Sequence, residues 1–148
     1  MQPISSVLVP VDFSEHSHEA LLYAGDLAKR YGARLTLAHV YPVVNYAAAE
    51  GFMLFTPEQL VTLKEHLETQ LSESANLARA AGATEVGLVL LQGDPFTELN
   101  AYAHKQAIDL IVMGTHGRTG WRHALLGSVA EKLVRSASCP VMTVHKQS

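Results

Sequence analysis

The sequence predicts an α/β fold, a doubly wound open parallel sheet of five strands with helices on both faces. Three observations lead there. Short apolar runs such as Val7-Leu8-Val9-Pro10-Val11 have the near-continuous pattern of strands buried on both faces. The stretches between such runs space their apolar residues like helices. Strand and helix patterns alternate five times over, which calls for parallel strands joined by crossover helices. At 148 residues the chain has the size of one domain, and a single domain over residues 1–148 is the expected organisation.

Each element has its own signal. After the first strand, Ser14 is placed to cap a helix whose stripe is Ala20, Leu21, Ala24, Leu27, Ala28 and Tyr31, with Gly32 as its stop. Arg34 to Val40 alternates as a second strand. Tyr41 to Phe55 has no period and reads as a long connection. Thr56-Pro57-Glu58-Gln59 combines a cap, a first-position proline and a third-position glutamine, so a long helix starts there. Its inward stripe is Leu60, Leu63, Leu67, Leu71, Ala75 and Ala78, ending near Gly82. Glu85 to Leu91 reads as the third strand. Gly93-Asp94-Pro95 opens a third helix with a buried face at Leu99, Ala103 and Ala107. Asp109 to Met113 is the fourth strand, Ser128 to Ser136 the fourth helix, and Val141 to His145 the fifth strand.

Composition narrows the function classes. A hydrophobic fraction of 48% and a charged fraction of 17% are those of a globular protein. The net charge of −3 argues against a broad nucleic-acid surface. Arg118, Arg122 and His123 do form a small basic patch, suited to a few phosphates. No apolar run is long enough to span a bilayer, and the first residues lack a signal-peptide pattern. The single cysteine, Cys139, has no internal partner, so a cytoplasmic location is expected.

The most informative stretch follows the fourth strand: Gly114-Thr115-His116-Gly117, nine residues, then Gly127-Ser128. Glycines there let the backbone turn tightly and let a ligand approach without meeting a Cβ. Ser128-Val129-Ala130-Glu131 has the form of a capping box, which puts Gly127-Ser128 at a helix N-terminus, where free N–H groups and the helix dipole favour phosphate. Asp12 lies just past the first strand and Gly114 just past the fourth. They share one crevice if those strands are neighbours at the switch point, a placement that needs strand order 3-2-1-4-5. The first turn, Asp12-Phe13-Ser14-Glu15, carries no G-x-G-x-x-G, and the chain has no Gly-Lys-Ser/Thr, so neither a dinucleotide turn nor a P-loop lysine is present.

The run Gly-x2-Gly-x9-Gly-Ser at Gly114, Gly117, Gly127 and Ser128 resembles the signature of the universal stress protein family, in its nucleotide-binding branch. Val7 to Asp12 at one end and Ser138 to Val144 at the other resemble the same family, so the likeness spans nearly the whole chain. It implies strand order 3-2-1-4-5, a Rossmann-like fold of the adenine nucleotide alpha hydrolase kind, and an ATP site across strands one and four. By position, Asp12 would accept a hydrogen bond from the ribose or adenine side, Pro10 and Val11 would line the base pocket, and the Val40 backbone would contact the adenine edge. Met113 and Gly114 would face the ribose, His116 and Gly117 would lie beside the phosphates, and Gly127, Ser128 and Val129 would donate to them. ATP is the implied ligand, with ADP or AMP as alternatives, and magnesium would enter through the phosphates.

Plainer readings stand beside these. Ser128 also serves as a helix cap and Asp12 as a carboxylate at a helix N-terminus. His16 and His18, two apart on a helix, read as a solvated surface pair, with no metal site expected. His39 reads as a satisfied strand residue, and Cys139 as a small apolar group before the last strand. Trp121 has no assigned role. The last strand, apolar on both faces and unprotected by lysine or internal proline, should be a sheet edge. Members of the resembled family pair this strand across a two-fold axis, which implies an isologous homodimer through Val141 to Val144. The expected function is therefore an ATP-binding stress protein acting as a nucleotide-responsive dimer upon an unidentified protein partner, with no nucleic acid and no membrane. Slow ATP hydrolysis at the same site, with His116 as the nearby candidate base, and a structural dimer module without nucleotide are the alternatives.

Overall fold

A computed structural model describes residues 2–42, 55–117 and 126–146. The strands are β1 (Ser6–Pro10), β2 (Arg34–Tyr41), β3 (Val86–Gln92), β4 (Leu110–Gly114) and β5 (Val141–Val144). Between them run α1 (Glu15–Tyr31), α2 (Pro57–Ala80), α3 (Pro95–Lys105) and α4 (Ser128–Ser136). Every strand pair is parallel, and the sheet order is β3-β2-β1-β4-β5. The chain thus winds one way from β1 through β2 to β3, then returns to β1's other side. The crevice between β1 and β4 is the switch point.

Alternation along the strands divides the core. Val7, Val9, Leu35 and Leu37 point to one face and pack with Leu21, Ala24, Leu71 and Ala75 of α1 and α2. Leu8, Ala38, Ile111 and Met113 point to the other and pack with Leu99, Ala103, Ala130 and Leu133 of α3 and α4. A central strand sandwiched in this way cannot expose either set, which is why Val7, Leu8 and Val9 have no solvent exposure.

Three helix caps form as expected. Ser14 Oγ accepts the Ser17 N–H, Thr56 and Gln59 make a reciprocal capping box, and Gly32 closes α1 with a φ of 65°. Two ends differ from the sequence reading. Tyr31 is exposed, because the chain reverses at Gly32 and the Ala33 N–H returns to the Ala28 carbonyl, burying Ala33 in its place. Ala107 lies beyond α3 with a φ of 50°, and the Ile108 N–H returns to Ala103, so Ile108 takes the inward position. The expected connection between β2 and α2 falls for the most part on residues 43–54, outside the described residues. Among those described, no helix is long and apolar enough to cross a membrane.

Candidate functional site

A cavity of about 480 Å3 opens at the carboxyl ends of β1 and β4. That is within the range of small-molecule sites. From β1 and its exit come Pro10, Val11 and Asp12; from β2 come His39 and Val40. Met113, Gly114, His116 and Gly117 come from the end of β4, and Gly127, Ser128 and Val129 from the start of α4. All eleven residues singled out in the sequence therefore meet in one cavity. Reasoning from sequence missed Ala38, Pro95, Leu99, Leu126 and Ala130, which line the same space. Pro95 and Leu99 belong to a helix whose position depends on sheet order, and no motif marks them.

Backbone hydrogen bonds hold the cavity's shape. The Val11 N–H donates to Ala38, the Thr115 N–H to Val144, and the Gly127 N–H to Thr115 at 2.6 Å. This last bond ties the start of α4 to the end of β4. Gly127, with φ of −66° and ψ of 164°, is itself the N-cap, and it supplies no side-chain cap. Ser128 is thus the first helical residue and not the capping residue its Ser-x-x-Glu pattern suggested. The first bond of α4 runs from the Glu131 N–H to the Gly127 carbonyl, so the amides of Ser128, Val129 and Ala130 precede the ladder. Such an end, at the positive pole of a helix, suits an anion.

Two glycines are explained by close approach. A Cβ at Gly114 would lie 2.8 Å from the backbone and Cβ of His16, so β4 and the first turn of α1 pack too tightly for a side chain. A Cβ at Gly117 would lie 2.7 Å from Asp12 Oδ2. The other Asp12 oxygen, Oδ1, accepts from the Ser14 N–H and hydroxyl. The carboxylate is thus anchored by one oxygen while the other faces Gly117.

His16 and His18 part company. His18 is exposed, whereas His16 is half-buried and its Nδ1 is buried without a hydrogen-bond partner among the described residues. Its ring stands 5.4 Å from that of His116 and 6.2 Å from that of His145, a grouping that a spacing of two residues does not reveal. Thr115 Oγ1 lies between His116 Nδ1 at 3.1 Å and His145 Nδ1 at 3.2 Å. Lys146 and Glu15 pair across the same junction of β5 and α1. Among the described residues no three His, Cys, Asp or Glu side chains are set to hold a metal ion.

His39 is engaged as expected, with Nδ1 at 2.7 Å from the Val11 carbonyl oxygen. Burial pushes the half-buried Cys139 thiol up, with Asp109 adding to the shift, so it stays protonated near neutrality and is a poor nucleophile. The basic patch Arg118, Arg122 and His123, together with Trp121, lies outside the described residues.

A family model described as the universal stress protein family matches residues 3–145. A universal stress protein of Methanocaldococcus jannaschii (MJ0531) is 36% identical over 142 residues, covering 95% of this chain and 81% of that protein. The structure of universal stress protein UspA from Lactobacillus plantarum aligns with a TM-score of 0.78 at 25% identity, over 97% of this chain and 99% of that one. A universal stress protein solved in complex with cAMP aligns with a TM-score of 0.73 at 28% identity, over 97% of this chain and 98% of that one.

Proposed function

This chain belongs to the universal stress protein family, and from that membership we propose that it binds ATP and acts as a nucleotide-responsive dimeric stress regulator. The observation that carries the reading is the single cavity joining the carboxyl ends of β1 and β4 to the uncapped start of α4. The apolar part of its lining, Val11, Ala38, Val40 and Leu99, suits a purine ring. The lining at the start of α4 offers the backbone N–H groups of Ser128 and Val129 to a phosphate chain; the Gly127 N–H is taken by the Thr115 carbonyl, so Gly127, like Gly117, contributes its lack of a side chain. Asp12 lines the same cavity with its Oδ2 toward Gly117, where a ribose hydroxyl would donate to it.

The binding of cAMP by one relative makes the shorter adenine nucleotides part of the test. Magnesium would arrive with the phosphates and supply charge neutralisation there. Slow hydrolysis at the same site is the second reading, with His116, whose Nδ1 lies 3.1 Å from the Thr115 hydroxyl, as the nearby candidate base. The edge position of β5 supports a homodimer through Val141 to Val144, the strand that would carry a nucleotide-dependent change to a second copy.

Thermal unfolding with ATP, ADP, AMP, cAMP and GTP tests the reading. Saturation at about 100 times the dissociation constant adds about 2.7 kcal/mol. A rise with adenine nucleotides and none with GTP is expected. No rise at millimolar concentration of any of them would overturn it.

A further inference from the structure

The turn that follows β1 contains a residue in a conformation its side chain resists. Phe13 has a φ of 65°, which glycine takes freely and a bulky aromatic avoids. Strain of this kind persists only where the surroundings hold it, and it gathers at ligand sites.

One side chain makes two contacts around this turn. His39 Nδ1 lies 2.7 Å from the Val11 carbonyl oxygen. A carbonyl only accepts, so Nδ1 carries the hydrogen and donates it. The His39 ring also lies 4.7 Å, centroid to centroid, from the Phe13 ring, with the planes tilted by 34°. His39 thus grips the chain at the residue before Asp12 and again at the residue after it. The Val11 N–H is tied to Ala38, the neighbour of His39 on β2, so the turn is referenced to the rigid sheet by backbone and side chain together.

The consequence lies at Asp12. Ser14 holds Oδ1 through its N–H and hydroxyl, and Oδ2 is then the oxygen under Gly117. Where that oxygen stands depends on the path of the chain from Val11 to Ser14, with Phe13 at its centre. Were Phe13 to relax to an ordinary φ, the Asp12 carboxylate would leave its place beside Gly117.

We infer that His39 is a positioning residue of the nucleotide site: its Nδ1–H and its ring hold the left-handed Phe13 turn that presents Asp12 to the ligand. The inference rests on the nucleotide reading above, since Asp12 is presented to that ligand.

Full-length variants separate this role from simple structural support. His39→Asn reproduces the Nδ1 donor with its amide, His39→Phe keeps a ring and removes the donor, and Phe13→Gly adopts a positive φ unaided. Two readouts apply: hydrogen exchange of the Ser14 amide, which Asp12 Oδ1 holds, and ATP affinity by calorimetry. His39→Phe should speed Ser14 exchange and weaken ATP about tenfold, the effect of one buried acceptor losing its donor. His39→Asn should stay within about threefold of the parent in affinity. In the Phe13→Gly background, His39→Phe should weaken ATP by less than it does in the parent, because no strain remains to be held. Parental exchange and affinity in His39→Phe would overturn the inference, as would equal losses in both backgrounds. If His39→Phe does not fold, His39→Leu in the two backgrounds makes the same comparison. If the parent binds no ATP, the nucleotide reading fails by itself, and Ser14 exchange still decides whether His39 holds the turn.

Discussion

Replacing Gly114 and Gly117 separately by alanine should produce opposite failures, because the two glycines face different neighbours. At Gly114 the new Cβ would lie 2.8 Å from the carbonyl group and Cβ of His16. Ordinary contact begins near 3.4 Å, so the first turn of α1 would have to retreat by about 0.6 Å. A helix backbone packed on two buried strands does not yield cheaply, and overpacking of this kind costs about 2 kcal/mol. For a chain of this length that lowers the melting temperature by about 4–8 °C. At Gly117 the Cβ would, among the described residues, meet the Asp12 carboxylate, with Oδ2 nearest at 2.7 Å. Gly117 is exposed and its φ is not positive, so the fold should lose less than about 0.5 kcal/mol. The carboxylate, anchored through Oδ1, must shift by about 0.7 Å, enough to spoil a hydrogen bond to a ligand and weaken ATP about tenfold. Calorimetric unfolding and ATP titration of both variants read the two effects. A Gly114→Ala protein of parental stability would refute the close packing of β4 on α1. A Gly117→Ala protein of parental stability and parental affinity would refute the role given to Asp12.

Other predictions follow from single groups. Thr56→Ala removes the side chain that accepts the Gln59 N–H and should cost about 1 kcal/mol in urea unfolding without changing nucleotide affinity. The Asp109 carboxyl is held below its usual range by hydrogen bonds from Ser5, then from Ser6, and the Asp94 carboxyl likewise by Thr97. Folded-state values below the unfolded ones mean the unfolded chain binds more protons in that window. Stability is therefore complete above about pH 4 and falls as the pH drops through the lowered values; Asp109→Asn should flatten that fall. Thr143→Pro on the edge strand should convert a homodimer to monomer in sedimentation, and a parent already monomeric would remove the proposed interface.

Much of the fold was legible because its signals are periodic and local. Apolar runs with no polar face, as at Val7 to Val9, suit only a strand covered on both sides, and the caps at Ser14, Gly32 and Thr56 depend on near neighbours. Errors arose where a distant contact decides the outcome. Ser-x-x-Glu cannot tell a cap from a first helical residue; the bond from the Gly127 N–H to Thr115 fixes that choice, and Thr115 lies well outside the four-residue pattern, at the exit of β4. Tyr31 and Ala107 kept helical spacing but sat where the chain was already reversing, and at Ala107 no glycine announced the left-handed turn. The meeting of His16, His116 and His145 brings together three separate elements, so spacing carried no trace of it. The site glycines were legible through their motif, while the grip of His39 on Phe13 was not, because nothing in an Asp-Phe-Ser sequence signals a positive φ.

The central claim concerns one cavity at the β1–β4 crevice, and amide chemical-shift mapping with ATP tests it most directly. Titration into labelled protein should move the amides of Asp12, Val40, Gly117, Gly127, Ser128 and Val129 together, with one shared dissociation constant. Those of β3 and the middle of α2 should stay still. Silence at the Gly127 to Val129 amides at saturating ATP, or shifts gathered on another face of the sheet, would contradict the account.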